Sequence, residues 1–187
     1  WTVLDSALIS EKIYLHVDNA GNLYASLYNT VTCSPYVSKW NGSKWEELGG
    51  TNQSHFGTGQ ILCIKSDLKG NIYAGGIFIK GDSLYNIYKW TEATNTWSPM
   101  YTFGNSALAD AITFDSSDSL YVAGEFTNNS DKQYVAQYQG SQWADYGNLN
   151  ANNTIKSICF DNLGNMYAGG EFTNGSAECY VAMHKKE

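Results

Sequence analysis

A chain of 187 residues with 18 acidic and 11 basic side chains carries a formal charge of -7, which opposes the phosphate neutralisation that nucleic-acid binding needs and excludes DNA or RNA as the main partner. No apolar run approaches the ~18 to 20 residues that cross a bilayer, and none reads as a signal peptide. Abundant Tyr, Trp, Gly, Ser and Asn beside only two Pro suit many short strands joined by polar turns, so the predicted class is all-β.

The chain opens on Trp1-Thr-Val-Leu, a short strand, and starting at Trp rather than Met it reads as a processed mature chain or a piece of a longer one. An inner strand carrying His16 leads to the turn Asp18-Asn-Ala-Gly-Asn. A third strand follows at Tyr36-Val-Ser-Lys-Trp, and the turn Asn41-Gly-Ser opens a fourth strand marked by Trp45. The second unit begins in a loop holding His55 and Phe56. Its inner strand is Ile61-Leu-Cys-Ile-Lys, its turn Asp67-Leu-Lys-Gly-Asn, its second strand Tyr73-Ala-Gly-Gly-Ile-Phe and its fourth-strand marker Trp97. The third unit repeats the order after a loop at Asn105, with the turn at Asp115, the third strand Tyr134-Val-Ala-Gln-Tyr and Trp143. The fourth runs through Ile155-Lys-Ser-Ile-Cys-Phe, the turn Asp161-Asn-Leu-Gly-Asn, Tyr167-Ala-Gly-Gly-Glu-Phe and Tyr180-Val-Ala-Met-His.

Equivalent turn positions at 21, 70, 118 and 164 are 49, 48 and 46 residues apart, the period of a propeller blade. In each turn the Asp accepts backbone N–H bonds while Gly or Asn takes the positive φ. The fold expected is an all-β propeller of four four-stranded blades over 5–49, 58–101, 106–148 and 153–187 plus 1–4, forming a single domain. The last blade lacks its Trp strand, and Trp1-Thr-Val-Leu supplies it. Trp1, Trp45, Trp97 and Trp143 are 44, 52 and 46 residues apart and 45 more return to Trp1, a circular register that closes the ring and removes exposed edges. A monomer is the preferred state. A head-to-tail dimer of eight blades satisfies the same register, and so do four blades cut from a longer array.

The Asp-x-x-Gly-Asn-x-Tyr unit followed by small residues resembles bacterial β-propeller repeat families. More loosely, it is similar to the Gly-x-Leu-Tyr-Ala strand of tachylectin-type lectins. The resemblance covers the turn and second strand of all four units, and it implies the fold and a secreted binding role, with no sugar contacts carried over.

No His-x-x-x-His, Cys-x-x-Cys or Gly-x-Ser-x-Gly occurs, so no metal, cofactor or catalytic residue is expected. The turn aspartates each offer one carboxylate where calcium needs six to eight oxygens. His184 replaces the aromatic of Trp40, Trp90 and Tyr138 as a packing residue. Glu125 and Glu171 stand at matching second-strand positions where the other blades have Leu27 and Ile77, and paired carboxylates can serve glycosidase chemistry at about 5 to 9 Å. The loops Phe126-Thr-Asn-Asn-Ser-Asp and Phe172-Thr-Asn-Gly-Ser are near copies, on the same face as His55, Phe56 and Asn105. Asn amides beside an aromatic suit sugar hydroxyls.

The reading is therefore a non-enzymatic module that binds carbohydrate through Glu125, Asn128, Glu171 and Asn174, secreted or at the cell surface. A protein-interaction scaffold is the alternative and a glycan-active enzyme the third. Sequons stand at Asn41, Asn52, Asn128, Asn152 and Asn174. A Cys33–Cys179 disulfide is expected in neighbouring blades, with Cys63 and Cys159 buried and unpaired.

Overall fold

Four aspartates set the frame of the structure, a computed structural model that describes residues 3–4, 12–50, 54–104 and 107–186. Asp67 Oδ1 accepts the backbone N–H of Lys69 at 3.0 Å and of Asn71 at 2.9 Å, and Oδ2 accepts the Asn71 amide at 2.7 Å and the Tyr73 hydroxyl at 3.2 Å. The same tether joins Asp18 to Tyr24 at 3.1 Å, Asp115 to Tyr121 at 3.0 Å and Asp161 to Tyr167 at 3.1 Å. In the third turn Ser119 replaces the Asn, and its N–H makes the 2.9 Å bond. With both carboxylate oxygens engaged by turn donors, the turn-stabilising reading holds.

These donors act on the acid's titration. Burial disfavours the charged form of Asp18 and Asp115, but the bonds from Asn22 and Tyr24, and from Ser119, Ser117 and Tyr121, outweigh it. At Asp161 the Asn165 amide dominates. All three carboxyls titrate below the ordinary carboxylate range.

Around each turn the chain folds into an antiparallel meander. The first blade is β1 (Leu15–Val17), β2 (Leu23–Asn29), β3 (Ser34–Trp40) and β4 (Trp45–Glu47). The second is β5 (Thr58–Ser66), β6 (Ile72–Lys80), β7 (Ser83–Thr91) and β8 (Thr96–Tyr101). The third is β9 (Ala109–Phe114), β10 (Leu120–Gly124), β11 (Gln133–Tyr138) and β12 (Trp143–Ala151). The fourth is β13 (Ile155–Phe160), β14 (Met166–Thr173) and β15 (Cys179–His184). Strands hydrogen-bond in chain order within every blade. The fold is an all-β propeller of four blades, the fourth of which has three strands among the described residues. Trp1 and Thr2, expected to complete it, lie outside the described residues, and Val3 and Leu4 form no strand and are exposed.

The blades fall into two compact units, Trp1–Thr102 and Phe103–Glu187. In the first, Tyr24, Val37 and Leu48 share a core with Ile61, Ile64, Phe78, Tyr88 and Trp97 of the next blade. Phe56 is its hub, with ring centroids 4.7 Å from Trp97, 5.0 Å from Tyr88 and 5.1 Å from Phe78. Expected on the loop face, Phe56 is instead fully buried. The Trp97 indole N–H donates to Leu48 O at 3.0 Å, tying the two blades. In the second unit Tyr121, Val135 and Ala151 pack with Ile155, Ile158, Met166 and Phe172. His184 sits opposite Met166 as Trp90 sits opposite Ile72, with its ring 4.9 Å from Tyr146, so it is the packing residue expected.

Asp67→Ala removes four accepted bonds from a buried carboxylate, that of the Tyr73 hydroxyl among them. The expected loss is about 2 to 4 kcal/mol in urea unfolding. The lowered pKa values of Asp18, Asp115 and Asp161 give stability that is present above the unfolded carboxyl value of about 4 and is lost as pH falls through the folded values. Urea midpoints should therefore drop steeply below about pH 4.

Candidate functional site

Three of the blades carry a bulge where the second strand leaves the turn half of the blade. A Cβ on Gly124 would stand 2.0 Å from Leu108 O, on Gly170 2.2 Å from Thr154 O and on Gly76 2.0 Å from Gln60 O, so only glycine allows the strands to close. The next residue's N–H then bonds back, Glu125 to Leu108 O at 3.0 Å and Glu171 to Thr154 O at 2.9 Å. Register shifts mark these places on β5–β6, β9–β10 and β13–β14. Among the described residues the first blade pairs β1 with β2 without a register shift. Leu27, expected to match Glu125, pairs with Tyr36 of β3 and is buried.

The bulge places Glu125 beside an ion-pair network that sequence reasoning missed. Lys156 Nζ lies 3.1 Å from Asp110 Oδ1 and 3.2 Å from Glu125 Oε1. Asp110 is only 12% exposed at its side chain, and its Oδ2 is buried with no hydrogen-bond partner among the described residues. Burial first, then the charges of Glu125 and Glu171, push the Asp110 pKa upward against the pull of Lys156. Burial works against the Lys156 ammonium too, but its bonds to Asp110 and Glu125 hold its value above the ordinary lysine range. The available signal was a comparison of blades. Leu62, Asp110 and Lys156 each follow the residue paired with the bulge glycine, and the last two carry opposite charges.

Asn128 and Asn174 shape the loops. Asn128 Oδ1 accepts from the N–H of Ser130 at 3.0 Å and of Lys132 at 3.3 Å, while its amide donates to Asp145 at 3.2 Å and Asn150 at 3.1 Å. Asn174 Oδ1 accepts from Ser176 at 2.9 Å and Glu178 at 3.1 Å. In the copied Glu-Phe-Thr-Asn stretch, then, Phe126 and Phe172 are buried and each Asn caps its own turn. The match has a structural reason at both.

The expected Cys33–Cys179 disulfide is not formed. Both thiols are exposed, and no bond joins any of the four cysteines. Cys159, expected to be buried, is exposed and Cys63 is half-buried. Each lies past a register shift on its inner strand, and the shift turns the Ile64 and Ile158 positions to the core instead.

The first unit holds a cavity of about 720 Å³ at the corresponding end of its blades. Tyr14, Tyr28, Leu27, Pro35, Ile61 and Leu62 form its apolar and aromatic wall, while Lys12, Gln60, Ser26 and Thr30 bring polar groups. The Ser26 hydroxyl also accepts the Tyr14 N–H at 2.9 Å, which fixes that wall. This volume falls among those of small-ligand sites, roughly 300 to 1,000 Å³. No carboxylate, His or Cys is among its described lining residues.

Neither a protein-family model nor a curated protein matches the chain. Among solved structures it superposes on the extracellular domain of a protein described as a hybrid two-component system from B. thetaiotaomicron, with TM-score 0.61, 14% identity, 99% of this chain and 23% of that one. The extracellular domain of a protein described as a one-component system from the same organism gives 0.59, 16%, 92% and 21%. Virginiamycin B lyase from Staphylococcus aureus gives 0.57, 11%, 92% and 55%. The chain thus spans between 21% and 55% of the length of these structures. At such identities the likeness is one of fold alone.

Lys156→Met leaves Asp110 buried without its counter-charge. A carboxyl whose folded pKa is raised destabilises the fold as pH climbs through that folded value, so the variant should lose about 1 to 3 kcal/mol at pH 7 and regain most of it near pH 4. Urea unfolding at the two pH values, beside the parent, checks this.

Proposed function

We propose that the chain is a non-enzymatic carbohydrate-binding module. The cavity of the first unit carries this reading. Two tyrosines and an aliphatic wall offer a platform for the apolar face of a sugar ring, and the Gln60 amide, the Lys12 ammonium and the Thr30 hydroxyl offer donors and acceptors for its hydroxyls. Glycosidic cleavage needs two carboxylates flanking the bond, and the cavity's described lining residues have none. In the second unit Lys156 bridges Asp110 and Glu125.

A second, weaker locus is proposed at the loop end of the second unit. There Glu125 and Glu171 supply acceptors on the bulges, and Asn128 and Asn174 hold the loops that flank them. Two loci on one chain raise avidity for a glycan surface without a strong single site. The partners are glycans, and the setting is secreted or cell-surface. The solved structures described as extracellular domains support that placement.

Glycan-array binding competed by free sugar, followed by calorimetry, tests the reading. Single-site affinity should be near millimolar, about -4 kcal/mol. Tyr28→Ala with Gln60→Ala should weaken it at least about tenfold, or ~1.4 kcal/mol, with little change in melting temperature. Loss of binding only in an Asn128→Ala, Asn174→Ala variant would move the main site to the second unit. Absence of binding across a broad panel, with capture of one protein partner insensitive to sugar, would replace the lectin reading by a protein-interaction scaffold.

A further inference from the structure

The wall of the first unit's cavity includes a position at which the blades part company. Two residues after the tethered tyrosine, three blades have Gly75, Ala123 and Gly169, none with a polar side chain, and the first blade has Ser26. Ser26 lines the cavity and is only 3% exposed. Its N–H donates to Tyr14 O at 2.9 Å, and its Oγ accepts the Tyr14 N–H at 2.9 Å. That second bond uses a lone pair of the hydroxyl and leaves its proton, for which no acceptor stands among the described residues. A buried donor without an acceptor is costly, and an occupant of the cavity that brings an acceptor removes the cost.

The polarity of the remaining lining points the same way. Lys12, two residues before Tyr14, brings an ammonium, a group with three donors and no acceptor. No carboxylate is among the described lining residues, so none of them repels an anion. The aliphatic wall of Leu27, Pro35, Ile61 and Leu62 lowers the local dielectric, and a charge-assisted hydrogen bond there is about twice as strong as a neutral one.

We infer that the ligand of this cavity is an acidic sugar whose carboxylate accepts from the Ser26 hydroxyl and the Lys12 ammonium, an inference that rests on the carbohydrate reading of the same cavity. The preference over a neutral hexose follows from counting protons. A sugar hydroxyl that accepts from Ser26 still has a proton of its own to place, whereas a carboxylate accepts at both oxygens and has none. The sugar's hydroxyls fall to Gln60 and Thr30, which can both donate and accept. Ser26 is then a specificity-determining residue, since its proton is satisfied only when the ligand brings the acceptor.

Calorimetry of the 187-residue chain with uronic acids, each beside the neutral hexose of the same configuration, tests the inference. In at least one such pair the acid should bind about tenfold more tightly than its neutral partner, and added salt should reduce that preference. Ser26→Ala and Lys12→Gln should each remove most of the preference, read as the ratio of the two affinities. Ser26→Ala also takes the acceptor from the Tyr14 N–H, so if that variant fails to fold, Lys12→Gln and the salt series decide. Equal binding of acids and hexoses, tighter binding of an N-acetylated hexosamine than of any uronic acid, or a preference that survives Lys12→Gln would overturn the inference and leave the carbohydrate reading standing. Absence of binding by every sugar would overturn both.

Discussion

Every blade depends on one carboxylate. The turn aspartate closes the hairpin through backbone N–H groups two and four residues on and, in the same act, holds the tyrosine six residues on by its hydroxyl. That second bond matters beyond the turn, because it fixes which face of the second strand carries the tyrosine. In a pleated strand a slip of one residue exchanges the two faces. With Tyr24, Tyr73, Tyr121 and Tyr167 pinned, the small residues after them and the aliphatic columns opposite fall into register, and the cores of both units follow.

This much was legible in the chain itself. Asp, Gly or its substitute, and Tyr recur at constant offsets, and local hydrogen bonding needs nothing from elsewhere in the fold. The bulges were only half legible. Gly76, Gly124 and Gly170 stand among the small residues that follow each tethered Tyr, but the register shift beside them was not visible in spacing. That shift exposes Cys159. Phe56 was misread for a related reason, since a loop residue looks available until the rings of Phe78, Tyr88 and Trp97 are brought around it. The Cys33–Cys179 pairing assumed that two loops in corresponding positions meet, and no such bond is present.

The candidate sites show the same division. Asn128 and Asn174 were found because they repeat, and they repeat because both cap a turn. The Asp110–Lys156–Glu125 network does not repeat, so periodicity hid it, although an acid and a base at one inner-strand position in successive blades were there to be compared. The cavity of the first unit is assembled from residues 12 to 62, contributed by two blades. Nothing local marks such a set, and its members look ordinary one by one.

The bulge glycines divide labour between adjacent positions. At Gly124 or Gly170 any side chain would strike a carbonyl, so the backbone path is settled before the following residue is chosen. That following residue, Ile77, Glu125 or Glu171, contributes its N–H to the fold and leaves its side chain uncommitted to the blade core. Aliphatic and acidic side chains occupy this slot in one chain without altering the strand pairing around it. A propeller built this way can exchange one surface chemistry for another by a single codon per blade, with folding and recognition inherited separately.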